Sequence, residues 1–144
     1  TMKKITFTIK GNQEDPEGNP IPYTRVVHNA LWLPGAKRYK AWKDYVRKAF
    51  FENNAEFVRY DERDRILDDE PLTTKPSERA RMSISIYWMN GVHGDPDNIF
   101  KGIADALFKS DKFLDGSFES IHARDGKGKV EVRITINDGI NAVL

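Results

Sequence analysis

Asp95 and Asp97 flank Pro96, Asn98 follows directly, and Lys101, Asp105 and Asp115 come next at intervals of four, four and ten residues. Two carboxylates spaced this closely can bind a hard divalent cation, which takes oxygen ligands and tolerates retained waters. They can also act as an acid/base pair, or simply cap a helix and tie down a turn. Asp-x-Asp alone favours capping. Asn98, a lysine one turn on and a further acid beyond it shift the balance towards a cation or phosphate site. Proline disfavours helical geometry in the residue before it, so Asp95 should be extended. Asp97 or Asn98 should then cap the helix that follows, whose N-terminus favours negative charge.

At about 100° per residue, Asp97, Lys101 and Asp105 fall within roughly 80° of one another on that helix. Ile99, Phe100, Ile103, Ala106 and Leu107 take the opposite side. One face packs while the other presents an acid, a lysine and an acid. Upstream, Met82, Ile84, Ile86 and Trp88 alternate with Ser83, Ser85 and Tyr87, the pattern of a strand with one buried face. This strand should be central and deliver the two acids through a turn over residues 90–94. His93 reads as a solvent-facing turn residue, and His28 and His122 lack metal-ligand spacing.

The pattern Asp95-x-Asp97-Asn98-x-x-Lys101-x-x-x-Asp105-Ala106-Leu107, followed by a short loop into Asp115 before a strand, resembles the RusA family of Holliday junction resolvases. The likeness is dense over residues 95–115 and looser over residues 20–25 and 129–136. It implies a RusA-like fold, with Asp95, Asp97 and Asp115 binding magnesium (or manganese) at the scissile phosphate. It also implies a lysine at Lys101 that cleavage requires, four-way-junction DNA as partner, a homodimer, and a cytoplasmic protein of bacterial or phage origin. The family usually carries an Asp-Asp pair where this chain reads Asp115-Gly116. Aligned without a gap, its catalytic position falls on Gly116. With the loop one residue shorter it falls on Asp115, three residues before Phe118. The second alignment is preferred for the register it keeps, because a one-residue slip turns every side chain of a strand to the other face. Asp111 and Glu119 are substitutes.

Length and composition set the frame. A chain of 144 residues suits one domain burying roughly two-thirds of its unfolded surface. At 39% hydrophobic and 31% charged residues it suits a globular protein, with no apolar run of membrane-spanning length and no signal-peptide pattern. Thr1 ahead of Met2 reads as an expression remnant. The absence of cysteine excludes a disulfide framework and a thiolate zinc site. Net charge is only +1, so only the distribution of charge can point to nucleic acid.

The remaining elements frame the acids. Residues 3–10 alternate as a strand, residues 11–22 form a Gly/Pro loop, and residues 23–33 are extended or strand-like. Residues 35–53 form a helix with Tyr39, Trp42, Tyr45, Val46, Ala49 and Phe50 as its apolar stripe. Lys37, Lys40, Lys43, Arg47 and Lys48 crowd its other side, relieved by Asp44. Such a face is ordinarily just solvated, but beside a nuclease site it can track phosphates. Arg25 and Lys127 are further DNA-binding candidates, each equally readable as a surface cation. Residues 54–79 read as a surface excursion in which Asp68-Asp69 is a decoy. Residues 118–123 and 129–136 should pair as a hairpin around Asp125-Gly126. Residues 137–144 form a tail.

The expectation is therefore an α+β domain, a mixed sheet of about four or five strands with two main helices against it and the acids gathered at one sheet end. Its function is expected to be magnesium-dependent cleavage of Holliday junctions or related branched DNA. The alternatives are a branched-DNA-binding protein with impaired catalysis, and a metal-dependent enzyme acting on a small phosphate ester.

Overall fold

The computed structural model describes residues 2–25, 30–73, 78–90 and 93–138. Strand β1 (Met2–Lys10) leads through a long loop to helix α1 (Pro34–Asn53) and a 3-10 turn (Ala55–Phe57). Then come β2 (Glu78–Trp88), α2 (Pro96–Leu107), β3 (Leu114–His122) and β4 (Lys129–Asp138). One four-stranded sheet has the order β1-β4-β2-β3. β4 runs antiparallel to both β1 and β2, while β3 runs parallel to β2. The fold is α+β, a single mixed sheet with two helices packed on it.

Alternation decides which face the helices cover. Phe7, Val132, Ile84 and Phe118 stand in one cross-strand row, and the first three join a core shared with both helices. From α1 the buried side chains include Tyr39, Trp42, Val46 and Phe50, three or four residues apart as a helix stripe requires. Each large apolar side chain so buried is worth about 1.5–3 kcal/mol. The next row over, Thr6, Arg133, Ser83 and Ser117, lies on the face the helices leave uncovered.

Three expectations need correction. β3 does not form a hairpin with β4, because β4 lies between β1 and β2 and β3 takes the far edge. The β2–α2–β3 crossover sets β3 parallel to β2, as parallel neighbours require. The connection to β4 then passes over the end of β2, where the Ala123 amide donates to the Trp88 carbonyl at 3.2 Å and Gly126 sits against the Asn90 side chain. Gly126 has φ +74°, the positive φ expected of a hairpin turn, but here it serves a longer link.

Second, the described part of the stretch read as extended or strand-like, residues 23–25 and 30–33, forms no strand. Instead the Tyr23 amide donates to the Asn98 carbonyl at 2.9 Å, so this loop docks on the first turn of α2. Third, the excursion does not run to residue 79, because β2 begins at Glu78; its described part, residues 54–73, is tied to the rest of the fold. Arg59 pairs with Asp69 at 2.6 Å, and Leu72 exchanges backbone hydrogen bonds with Leu107 and Lys109. Residues 26–29, 74–77, 91–92 and 139–144, including His28, part of the turn before the acids and nearly all of the expected tail, lie outside the described residues.

Candidate functional site

Pro96 occupies the first position of α2, where its missing N–H costs nothing. Asp95 therefore becomes the N-cap, in extended geometry (φ −84°, ψ 111°). The expected cap, Asp97 or Asn98, falls two or three positions too late: Asp97 lies within the first turn. One Asp95 oxygen accepts from the Asp97 amide at 2.9 Å, and the other accepts from the Asn98 side-chain amide at 3.2 Å. Asn98 thus fixes the orientation of the Asp95 carboxylate, a role its position three residues on could have signalled.

Asp97 projects from the same turn. Its Oδ2 lies 3.4 Å from Lys101 Nζ, and both side chains are more than half exposed (53% and 55%). Asp95, Asp97 and Lys101 all lie exposed at the start of α2, Asp97 and Lys101 on one face as helical spacing predicted. Lys101 also lines a groove of about 340 Å³ with Tyr23, Asp105, Lys109 and Asp111. Tyr23 was not singled out from the sequence, since only the docked loop brings it there.

Asp105 has a different task. It accepts a 2.6 Å hydrogen bond from the Tyr39 hydroxyl and lies 3.4 Å from Lys43 Nζ, which in turn sits over the Tyr39 ring. Burial first, then the Asp105 hydrogen bond and charge, push the Tyr39 hydroxyl far above its ordinary range. Asp105 fastens α2 to α1.

The register separates Asp115 from the other acids. Asp115 pairs with Arg81 while Gly116 pairs with Met82; Met82 is in the helix-covered core. Asp115 therefore faces the uncovered side of the sheet, and it is Gly116 that faces α2. Glu119 shares the uncovered face and accepts from Ser85 at 2.6 Å. Among the described residues, no three His, Asp or Glu side chains stand close enough to hold one ion. Asp95 and Asp97 do suit magnesium of the kind held by one or two carboxylates plus substrate phosphate. Asp115 does not join them.

The cationic candidates also divide. Lys37 and Lys40 of α1 are exposed, as are Arg25 and Lys127. Lys40 pairs with Asp44 at 3.0 Å and Lys127 with Glu17 at 3.4 Å. Lys43 is half-buried and engaged with Asp105. Arg47 does not belong to the exposed face: it is buried, donates to the Ala106 carbonyl at 3.2 Å, and meets Asp44 and Asp68 at 2.6 and 3.3 Å. Asp68 and Asp69 are likewise consumed in ion pairs, consistent with their reading as a decoy. No helix among the described residues is long and apolar enough to cross a membrane.

Compared with known proteins, the chain matches no family model and no curated protein.

Proposed function

We propose that this protein is a magnesium-dependent endonuclease acting on branched DNA, with the four-way junction as its substrate class and the cytoplasm as its setting. The observation that carries the reading is the exposed pair Asp95/Asp97 with Lys101 3.4 Å from Asp97, together with the likeness of this stretch to RusA resolvases. Asp95 and Asp97 would hold the cation, and Asn98 would keep Asp95 aligned. Magnesium supplies a Lewis acid for the phosphate and a water of lowered pKa. Lys101 would neutralise charge developing on the leaving oxygen. Exposure of both carboxylates suits a polymer better than a small phosphate ester, which pockets typically enclose over most of its surface.

A second reading is favoured by the register of β3. With Asp115 turned away and Gly116 facing α2, the chain would bind branched DNA but cut it poorly or not at all. One experiment separates the two. A labelled four-way junction is incubated with the protein, with and without magnesium, and binding and cleavage are scored separately. The nuclease reading expects cleavage that Asp97→Asn abolishes by removing a ligand of the cation, while binding persists. Binding without cleavage in the unaltered protein would establish the second reading. Cleavage by Asp97→Asn at the unaltered rate would remove Asp97 from the site.

A further inference from the structure

The sheet face that the helices leave open differs from one end to the other. Where β2 finishes, its polar groups are spent on one another. Lys129 lies 3.7 Å from Glu131 and over the Tyr87 ring, while Ser85 donates to Glu119 at 2.6 Å and accepts from Arg133 at 3.1 Å. Where β2 begins, the cations are free. One cross-strand row reads Lys4, Thr135, Arg81 and Asp115, and the row before it sets Arg79 beside Asn137. Lys4, Arg79 and Arg81 are exposed, and with the described residues none of them makes an ion pair or side-chain hydrogen bond. Arg38, Arg59 and Lys101, by contrast, each meet an acid. Strand geometry sets the spacing: Arg79 and Arg81 are about 7 Å apart along β2, and Lys4 lies two strands from Arg81, about 10 Å. Short hydroxyl side chains, Thr6, Ser83, Ser117 and Thr135, keep the surface between them low. Asp115 is the acid of this corner, outnumbered by Lys4, Arg79, Arg81 and the neighbouring Arg133.

We propose that this corner of the open sheet face is a docking surface for the phosphate backbone of duplex DNA. Guanidinium, ammonium and hydroxyl groups are the usual side-chain partners of phosphate oxygens. Single strands are held on aromatic platforms where bases stack, and the rows of this corner carry no aromatic side chain. A lipid surface is gripped through buried apolar area as well as charge, for which these rows offer Met2 alone. A second copy of the chain docked here by a two-fold axis would set the cations against their own images, since such an interface pairs a patch with itself. The surface uses neither Asp95 nor Asp97 and takes from the nuclease reading only the choice of DNA. Gly94 lies against the Trp88 ring, which puts Asp95 beside the last residue of β2, roughly 23 Å along that strand from Arg81. The corner therefore engages a different stretch of DNA from the acids, as a second arm of a branched substrate supplies.

The test is fluorescence anisotropy of a short labelled DNA duplex titrated with the full chain at several salt concentrations. Lys4→Ala/Arg79→Ala/Arg81→Ala should weaken binding at least about tenfold at moderate salt and flatten the logarithmic salt slope by about two to three. Lys4→Arg/Arg79→Lys/Arg81→Lys, which keeps the charges, should retain the slope. Arg63→Ala/Lys112→Ala/Arg124→Ala removes equal charge from exposed positions elsewhere and should bind as the unaltered protein does. Equal losses in the two alanine variants would show that only total charge matters and would overturn the proposal. An unchanged slope in the corner variant, or no duplex binding by the unaltered protein, would do the same. So would capture of phosphatidylserine vesicles that the corner variant loses while its duplex binding stands. If the triple variant does not fold, Arg81→Ala alone decides, with a slope flatter by about one. Junction cleavage scored in parallel reports on the acids: its absence would end the nuclease reading, while a duplex affinity lost only in the corner variant would still uphold this surface.

Discussion

Asp105 and Asp97 lie on the same side of α2, yet their surroundings give them opposite destinies. Asp97 pairs with Lys101 and is more than half exposed, whereas Asp105 is held by the Tyr39 hydroxyl and Lys43. Helical spacing placed both acids on one face correctly, but it cannot report that another helix lies across part of that face. Asp95, Asp97 and Lys101 were legible because their geometry is local, set within one and a half turns. Tyr39 leads to a prediction about pH. Its hydroxyl is raised in the folded state by burial, then by Asp105. A raised acid favours folding while the unfolded tyrosine is still protonated, and that contribution is lost as pH rises past the unfolded value near 10.0. Urea midpoints should therefore fall steeply above about pH 10 in the unaltered protein and less steeply in Tyr39→Phe. Parallel declines would show that this hydroxyl is not the group responsible.

Besides their shared apolar core, the two helices are joined by a cation carried into the interior. Arg47 reaches from α1 to the carbonyl of Ala106 near the end of α2 and also holds Asp44 and Asp68. Burial would raise the Asp44 carboxyl, but hydrogen bonds from Lys40 and Arg47 outweigh it and hold that group below its usual range. Replacing Arg47 with alanine strips a buried carbonyl of its donor and should cost about 1–3 kcal/mol, read as a lower urea midpoint with unchanged slope. Lys37→Ala, at an exposed site of the same helix, should leave the midpoint unmoved. The pattern of residues identified α1, but not which of its cations turns inward, because Arg47's partner lies 59 residues away. Separation in sequence also hid the pairing of β3 with β2. Asp125-Gly126 has the residues of a tight hairpin turn, and nothing local announces that β2 must pass between the strands it joins.

For the molecule as a whole, resolution of a four-way junction requires two symmetric cuts, and one domain with one acidic pair supplies one. We propose a homodimer with its two acid pairs on a common DNA face; two-fold symmetry is the commonest means of duplicating a site. Exposed apolar residues suited to such an interface include Trp32 and Leu33, at 69% and 41%. Phe51 instead packs against the core. Sedimentation should give a dimer at micromolar concentration, or one formed on junction DNA; a monomer in both conditions would eliminate the paired-cut mechanism. Junction affinity should fall steeply with salt, and Lys37→Ala/Lys40→Ala should flatten the logarithmic slope by about two if each lysine meets one phosphate. Lys40 can be released for this, since an exposed pair such as that with Asp44 is worth little.

The last strand among the described residues is also an inner one: β4 lies between β1 and β2, so neither has its native antiparallel partner until residues 129–138 exist. On the ribosome, at about 5–20 residues per second, β1 and the β4-facing side of β2 wait seconds as unpaired edges, even where β3 already pairs with the other side of β2. The sheet cannot grow outward from an early hairpin; it closes by insertion. Newly made chains therefore pass through an interval in which their strands can pair with those of neighbouring chains, and holding them apart until β4 emerges is work suited to a chaperone.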